Sequence, residues 1–191
     1  NKNVWGIAEF KHFEEVISYL VVDNKKALLI DTGLGLEDIR QEVEKITTLP
    51  VSVINTHGHF DHVGGNGLFE NILDPDAKSI KLDSMEFLII KTPGHSPDSI
   101  CLYEKKENWL FSGDTLYPGP IYLHMEDSNL PEYIKSLEAL LKMPIGEIFP
   151  SHNDFYFPVS NIAKIYKLLK NKTRLKREEK VDDETSLLLK M

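Results

Sequence analysis

"THGHFDHVGG", residues 56–65, places His57, His59, Asp61 and His62 inside six consecutive positions. The chain holds seven histidines among 191 residues, so three of them are concentrated in this one stretch. The apolar run "VSVI" (51–54) precedes it and reads as a strand that delivers the chain to Thr56. His57 and His59 are two apart on a chain leaving a strand, so both can face one way. Val63, Gly64 and Gly65 suggest a turn into a new element, which lets Asp61 and His62 face a second centre nearby. Imidazole nitrogens and carboxylate oxygens suit zinc, iron or manganese.

Such a cluster needs partners, and three candidates stand at similar places. His95 lies in "KTPGHSPDS" after the apolar run "FLII", Asp114 in "FSGDTLY" after "WLF", and His152 in "IFPSHND" after "EIF". Each follows an apolar run and a Gly, Pro or Ser that allows the chain to turn. Seven ligands are too many for one tetrahedral ion and about right for two.

The ordered set "THGHFDHVGG", "TPGHSPDS", "GDTLY" and "SHND" resembles the metallo-β-lactamase superfamily, in its glyoxalase-II-like branch. "DTG" at 31–33, after "ALLI", looks like that family's first motif, and the resemblance runs from about residue 15 to 170. It implies an α/β fold, a four-layer αββα sandwich of two mixed sheets with outer helices and metals at one edge. It further implies a first ion held by His57, His59 and His95, a second by Asp61, His62 and His152, and Asp114 bridging the two. Asp31 would orient a ligand. Asp114 stands where some β-lactamases carry a cysteine, which disfavours antibiotic hydrolysis.

The activity implied is hydrolysis. Two divalent ions, zinc first and iron or manganese next, would share a hydroxide that attacks an acyl carbon. The substrate would be a small thioester, lactone or other ester, with thioesters favoured because a thiolate leaves without protonation. Asp61 would hydrogen-bond the nucleophile, and Tyr117 would offer its phenol to the oxyanion. The rival reading is an iron oxygenase of the persulfide dioxygenase type, which uses one metal; His152, completing a second centre, favours the hydrolase. A lactonase of the same fold is a further alternative.

Composition agrees with one globular domain over residues 1–191. Hydrophobic residues make up 41%, charged residues 27%, and the net charge is −8. That acidity disfavours a nucleic-acid partner, and no apolar run is long enough for a membrane helix. The single Cys101, in "SICLY", reads as a buried inert thiol in a reducing cytoplasm.

Strands are expected at 16–22, 27–30, 51–54, 86–90, 100–103, 109–111 and 147–149, with "EKKEN" (104–108) as a hairpin loop. Helices are expected on the stripe Leu36, Ile39, Val43, Ile46, after Pro131, and after Pro158. "KNKTRLKREEK" (170–180) reads as a solvated helix end or linker. His12 and His124 read as surface residues. The stretch between Phe69 and the strand at 86–90 is short for this family, so chain is trimmed or missing near 70–80. A C-terminal glutathione-binding domain has no counterpart.

Overall fold

A computed structural model of the chain describes residues 3–171 and 175–190. Two mixed sheets lie face to face. The first has the order β1 (Val4–Ala8), β2 (Ile17–Val22), β3 (Ala27–Ile30), β4 (Val51–Ile54), antiparallel except for the parallel pair β3–β4. The second contains β5 (Ser79–Lys81), β6 (Glu86–Lys91), β7 (Ile100–Glu104), β8 (Trp109–Gly113) and β10 (Glu147–Pro150), in the order β10-β8-β7-β6-β5. Here only β10–β8 is parallel.

The period-two alternation of strand side chains sorts the core into layers. Leu28 and Ile30 of β3 join Leu102 of β7 and Phe111 of β8 between the sheets. Phe111 stacks on Phe149 at 4.7 Å, and Tyr19 meets both rings edge-on at 5.5 Å. Ala27 and Leu29 face outward onto Ile39 and Val43 of helix α1 (Ile39–Ile46). Cys101 and Tyr103 face outward onto α3 (Leu130–Leu140) and α4 (Ser160–Asn171) through Leu137, Leu140 and Ile165. Fully burying each such side chain contributes roughly 1.5–3 kcal/mol. Helix, sheet, sheet, helix is the order expected of the sandwich.

The sheet arrangement also makes a site edge. β6, β8 and β10 all run in one direction, because β6 and β8 each pair antiparallel with β7 and β10 is parallel to β8. Whatever follows these three strands therefore emerges on the same side.

Several expectations are corrected. A third sheet, β11 (Glu178–Lys180), β12 (Thr185–Leu189) and β9 (Gly119–Leu123), adds its Ile121, Leu123, Leu187 and Leu189 to the α3–α4 core. The basic tail is thus in part a strand: α4 ends at Asn171, residues 172–174 lie outside the described residues, and Glu178–Lys180 pairs with β12. The first helix opens at Ile39, capped by the Asp38 side chain on Gln41 N–H, so Leu36 precedes it and is exposed. The last helix begins at Ser160, two residues after Pro158. β1 and β5 were not expected. Between Phe69 and β6 the chain makes a parallel bridge from Ile72 to Val53 and then β5, without a helix. Cys101 is fully buried, with burial pushing its thiol up to about 11, as an inert core thiol requires.

Candidate metal centre

All seven predicted ligands meet at this edge. His57 follows β4. His59 precedes the single turn α2 (Phe60–Val63), which carries Asp61 and His62. His95, Asp114 and His152 follow β6, β8 and β10. Two glycines permit the close approach. Gly113 has φ +50°, and a Cβ there would lie 2.7 Å from Thr56 Cβ. Gly94, with φ +149°, would collide with the Tyr133 backbone, so the turn before His95 packs directly on α3.

Hydrogen bonds fix the state of the imidazoles. His95 Nδ1–H donates to Tyr122 O at 2.8 Å, and His152 Nδ1–H donates to Glu14 O at 2.6 Å. A carbonyl oxygen only accepts, so both rings present a bare Nε2 when neutral. His62 Nδ1–H donates to Asp31 Oδ2 at 2.8 Å. Thr56 Oγ1–H donates to Asp31 Oδ2, so its oxygen can accept from His57 Nδ1–H at 3.2 Å. Four of the five rings are therefore turned so that, when neutral, Nε2 carries a free lone pair.

Those lone pairs converge on two points. His59 Nδ1 lies 2.9 Å from His57 Nε2 and 3.0 Å from His95 Nε2. His62 Nε2 lies 3.3 Å from His152 Nε2, and each is 3.6 Å from Asp61 Oδ2. Asp114 sits between the groups. Its Oδ2 is 3.4 Å from His95 Nε2, while its Oδ1 is 3.2 Å from His62 Nε2 and 3.0 Å from His152 Nε2. That Oδ1 is buried without a hydrogen-bond partner, which a cation would satisfy. The side chains form three overlapping groups able to hold a metal ion: His57, His59, His95; His57, His62, Asp114; and Asp61, His62, His152.

The electrostatics separate the two ends. Burial holds the His57 and His95 pKa values below the ordinary histidine value. Burial also opposes charge on His62 and His152, but Asp114 outweighs it, together with Asp31 at His62, and raises both. For Asp114, burial is outweighed by His152, His62 and His95, which hold the carboxyl well below the usual range. A field that favours an imidazolium also favours a divalent cation in its place.

Asp31 accepts from Thr56 N–H at 2.7 Å, from Thr56 Oγ1–H at 2.8 Å and from His62 Nδ1–H at 2.8 Å. It does so from a left-handed backbone, φ +62°, a conformation that costs a non-glycine residue energy. Tyr117 departs from expectation. Its hydroxyl donates to Pro120 O at 2.8 Å and accepts from Tyr122 N–H at 3.1 Å, so it braces the cleft wall. Its ring lines the cleft 5.1 Å from that of His152. His124 is exposed, as expected, and His12 is half-buried. Sequence reasoning missed Glu14 and Tyr122, which act through backbone carbonyls and leave no side-chain signature. It also missed Asp98, whose Oδ2 accepts from Gly58 N–H at 2.8 Å and ties the two histidine loops together. Asp127 was missed too; its carboxylate faces His59 Nε2 at 3.6 Å.

The sequence profile of the Metallo-beta-lactamase superfamily matches residues 14–88 and 75–152. This chain belongs to that superfamily. The two matched pieces overlap at 75–88, beside the stretch that is short for the family. An acyl-coenzyme A thioesterase, MBLAC2 of Gallus gallus, is 23% identical over 215 residues, covering 80% of this chain and 76% of the relative. That alignment is longer than this whole chain, so the relative carries intervening residues that this one lacks. A hydroxyacylglutathione hydrolase of Legionella pneumophila (strain Paris) is 29% identical over 124 residues, 53% of this chain and 47% of the relative. Among solved structures, a metallo-beta-lactamase from Pontibacter korlensis shares the fold, with a TM-score of 0.75 at 20% identity over 90% of this chain and 97% of that one. Within the superfamily the chain sits with the glyoxalase-II-like hydrolases and is itself a hydrolase of the metal-dependent kind. No helix among the described residues is long and apolar enough to cross a membrane.

Proposed function

We propose that this chain is a binuclear hydrolase of small acyl esters, thioesters first. His57, His59 and His95 would hold one ion and Asp61, His62 and His152 the other, with Asp114 giving one oxygen to each. Zinc is the first choice for a mixed nitrogen and oxygen set of this kind. The observation that carries the reading is the set of fixed tautomers: His57, His62, His95 and His152 each turn a free Nε2 inward, and the split Asp114 carboxylate lies between them.

Two divalent ions at such a site lower the pKa of a shared water toward neutrality and polarise a carbonyl oxygen. The chain's own groups do the remainder. Asp31 and Thr56 hold His62 and His57 in register. Asp61, with Oδ2 turned toward the same centre, accepts a hydrogen bond from the attacking water. Tyr117 keeps its proton on Pro120 O, which favours a leaving group that departs unprotonated, as a thiolate does. The single buried Cys101 supports a reducing, cytoplasmic setting.

The test is metal content per chain by elemental analysis, combined with turnover of a thioester, a lactone and a persulfide. Two ions per chain and thioester hydrolysis are expected. One iron per chain with oxygen uptake on the persulfide would overturn the proposal in favour of the oxygenase.

A further inference from the structure

The proposed centre opens into a cleft of about 240 Å³, small for a ligand site. It can enclose the reacting carbonyl and its immediate neighbours, so the remainder of a substrate must lie on the rim. Two phenylalanines stand there, Phe13 at 79% exposure and Phe60 at 61%, with Met125 also on the lining. A single exposed apolar residue needs no explanation, but two exposed phenylalanines and a methionine around one reactive cleft make an apolar landing surface.

The charges at the cleft are one-sided. Among the described residues lining it neither Lys nor Arg is present; of the acidic side chains, Asp61 and Asp114 would be offset by the proposed ions, which leaves Glu14 facing the cleft. Asp127 adds a carboxylate beside His59. Proteins that hold phosphate or carboxylate groups use Arg or Lys side chains to do so. An anionic arm on this rim would meet Glu14 and Asp127, and none of the described residues lining the cleft is a Lys or Arg that could receive it.

From the Phe13–Phe60–Met125 rim and the acidic, Lys- and Arg-free lining, we infer that the site selects esters and thioesters whose arms carry neither phosphate nor carboxylate, one arm being an apolar chain. This rests on the hydrolase reading above. The reaction is the ordinary one: water adds to the acyl carbon, the C–S or C–O bond breaks, and the leaving group takes the electron pair. Of the water's two protons, one ends on the departed sulfur or oxygen as a thiol or alcohol and the other passes to solvent, leaving a carboxylate product.

The experiment compares octanoyl thioesters of N-acetylcysteamine, which is neutral, and of coenzyme A, which is polyanionic, on the metal-loaded enzyme. At low ionic strength kcat/KM is expected to be at least tenfold higher for the neutral thioester. The gap should narrow as salt screens the repulsion. Extending the neutral acyl chain from two to eight carbons should raise kcat/KM, with about fourfold per methylene as the ceiling for full burial. Phe13→Ser with Phe60→Ser should flatten that chain-length dependence while thermal melting stays unchanged. Glu14→Gln, which keeps the carbonyl that holds His152, should close part of the gap by raising turnover of the coenzyme A thioester.

A non-hydrolysable ketone analogue of each thioester should reproduce the preference in its dissociation constant. Equal or better turnover of the coenzyme A thioester, or a flat chain-length series in the unmodified enzyme, overturns this inference and leaves the hydrolase reading standing. Failure to hydrolyse any thioester or ester with two ions bound overturns both.

Discussion

Two buried aspartates stand at opposite ends of the β2–β3 hairpin, and the same side chain does different work at each. Asp23, after β2, accepts from Asn24 N–H at 2.8 Å, Ser84 N–H at 2.5 Å, Ser84 Oγ–H at 2.7 Å and Met85 N–H at 3.1 Å. It sews the hairpin turn of the first sheet to the β5–β6 turn of the second. Asp31, after β3, accepts from Thr56 and from His62, so its partners include an imidazole whose other nitrogen faces the centre. Asp23 accepts four hydrogen bonds and Asp31 three. The difference lies in what they hold: Asp23 holds backbone, and its loss is felt in stability, while Asp31 holds a candidate ligand, and its loss is felt in metal affinity.

Asp114→Ala sets the scale for outright loss of the site. It removes the carboxylate facing both nitrogen groups, and with it the main charge that holds the His62 and His152 pKa values up. Turnover should fall by about a thousandfold or more, and metal content should drop well below two ions per chain by elemental analysis. Retention of two ions would remove the bridging role. His59→Ala should nearly abolish acyl hydrolysis while leaving far-ultraviolet circular dichroism intact, because His59 is partly exposed and supports no core packing. Unchanged turnover would remove His59 from the site.

Asp31→Asn is the first direct probe of the comparison. The amide cannot accept from both Thr56 and His62 as the carboxylate does. Metal affinity should fall by about 10–100-fold, read by competition with a chromogenic chelator. Excess metal should restore part of the activity. An effect on stability alone, with affinity unchanged, would make Asp31 a second Asp23 and dissolve the distinction.

What the sequence showed and what it hid follow the same division. Side chains that face the centre were legible, because His57, His59, Asp61, His62, His95, Asp114 and His152 are polar residues set at the ends of apolar strands. Asp31 was legible through "DTG". Asp23 was not, because three of its four hydrogen bonds come from Ser84 and Met85, about sixty positions away, two of them from backbone N–H groups. Glu14 and Tyr122 were hidden for the same reason, since any residue supplies a carbonyl. The inner strands announced themselves as apolar runs. The third sheet did not: β9 begins Gly119-Pro120, and β11 is Glu-Glu-Lys, whose strand state is decided by pairing with β12.

Asp23→Asn should leave metal content and kcat/KM unchanged and cost about 1–2 kcal/mol of folding stability by urea denaturation, since the charged acceptor of several hydrogen bonds is lost. A change in metal affinity here would break the comparison from the other side.

The smallest effect is the pH dependence of that difference. Burial raises the Asp23 carboxyl, but the hydrogen bonds from Ser84, Asn24 and Met85 outweigh it and hold the group below its ordinary value of 3.8. A carboxylate whose pKa is lower in the folded chain contributes stability that is fully present above the ordinary value. That contribution is lost as pH falls through the folded one. The Asn variant has no such carboxylate. The stability gap between the two proteins, measured with chelator present in both so that metal release cancels, should be flat above about pH 5 and close below about pH 4. A gap that persists unchanged to about pH 2.5 would mean that Asp23 acts through shape and neutral hydrogen bonding. Charge would then distinguish the Asp31 end of the hairpin alone.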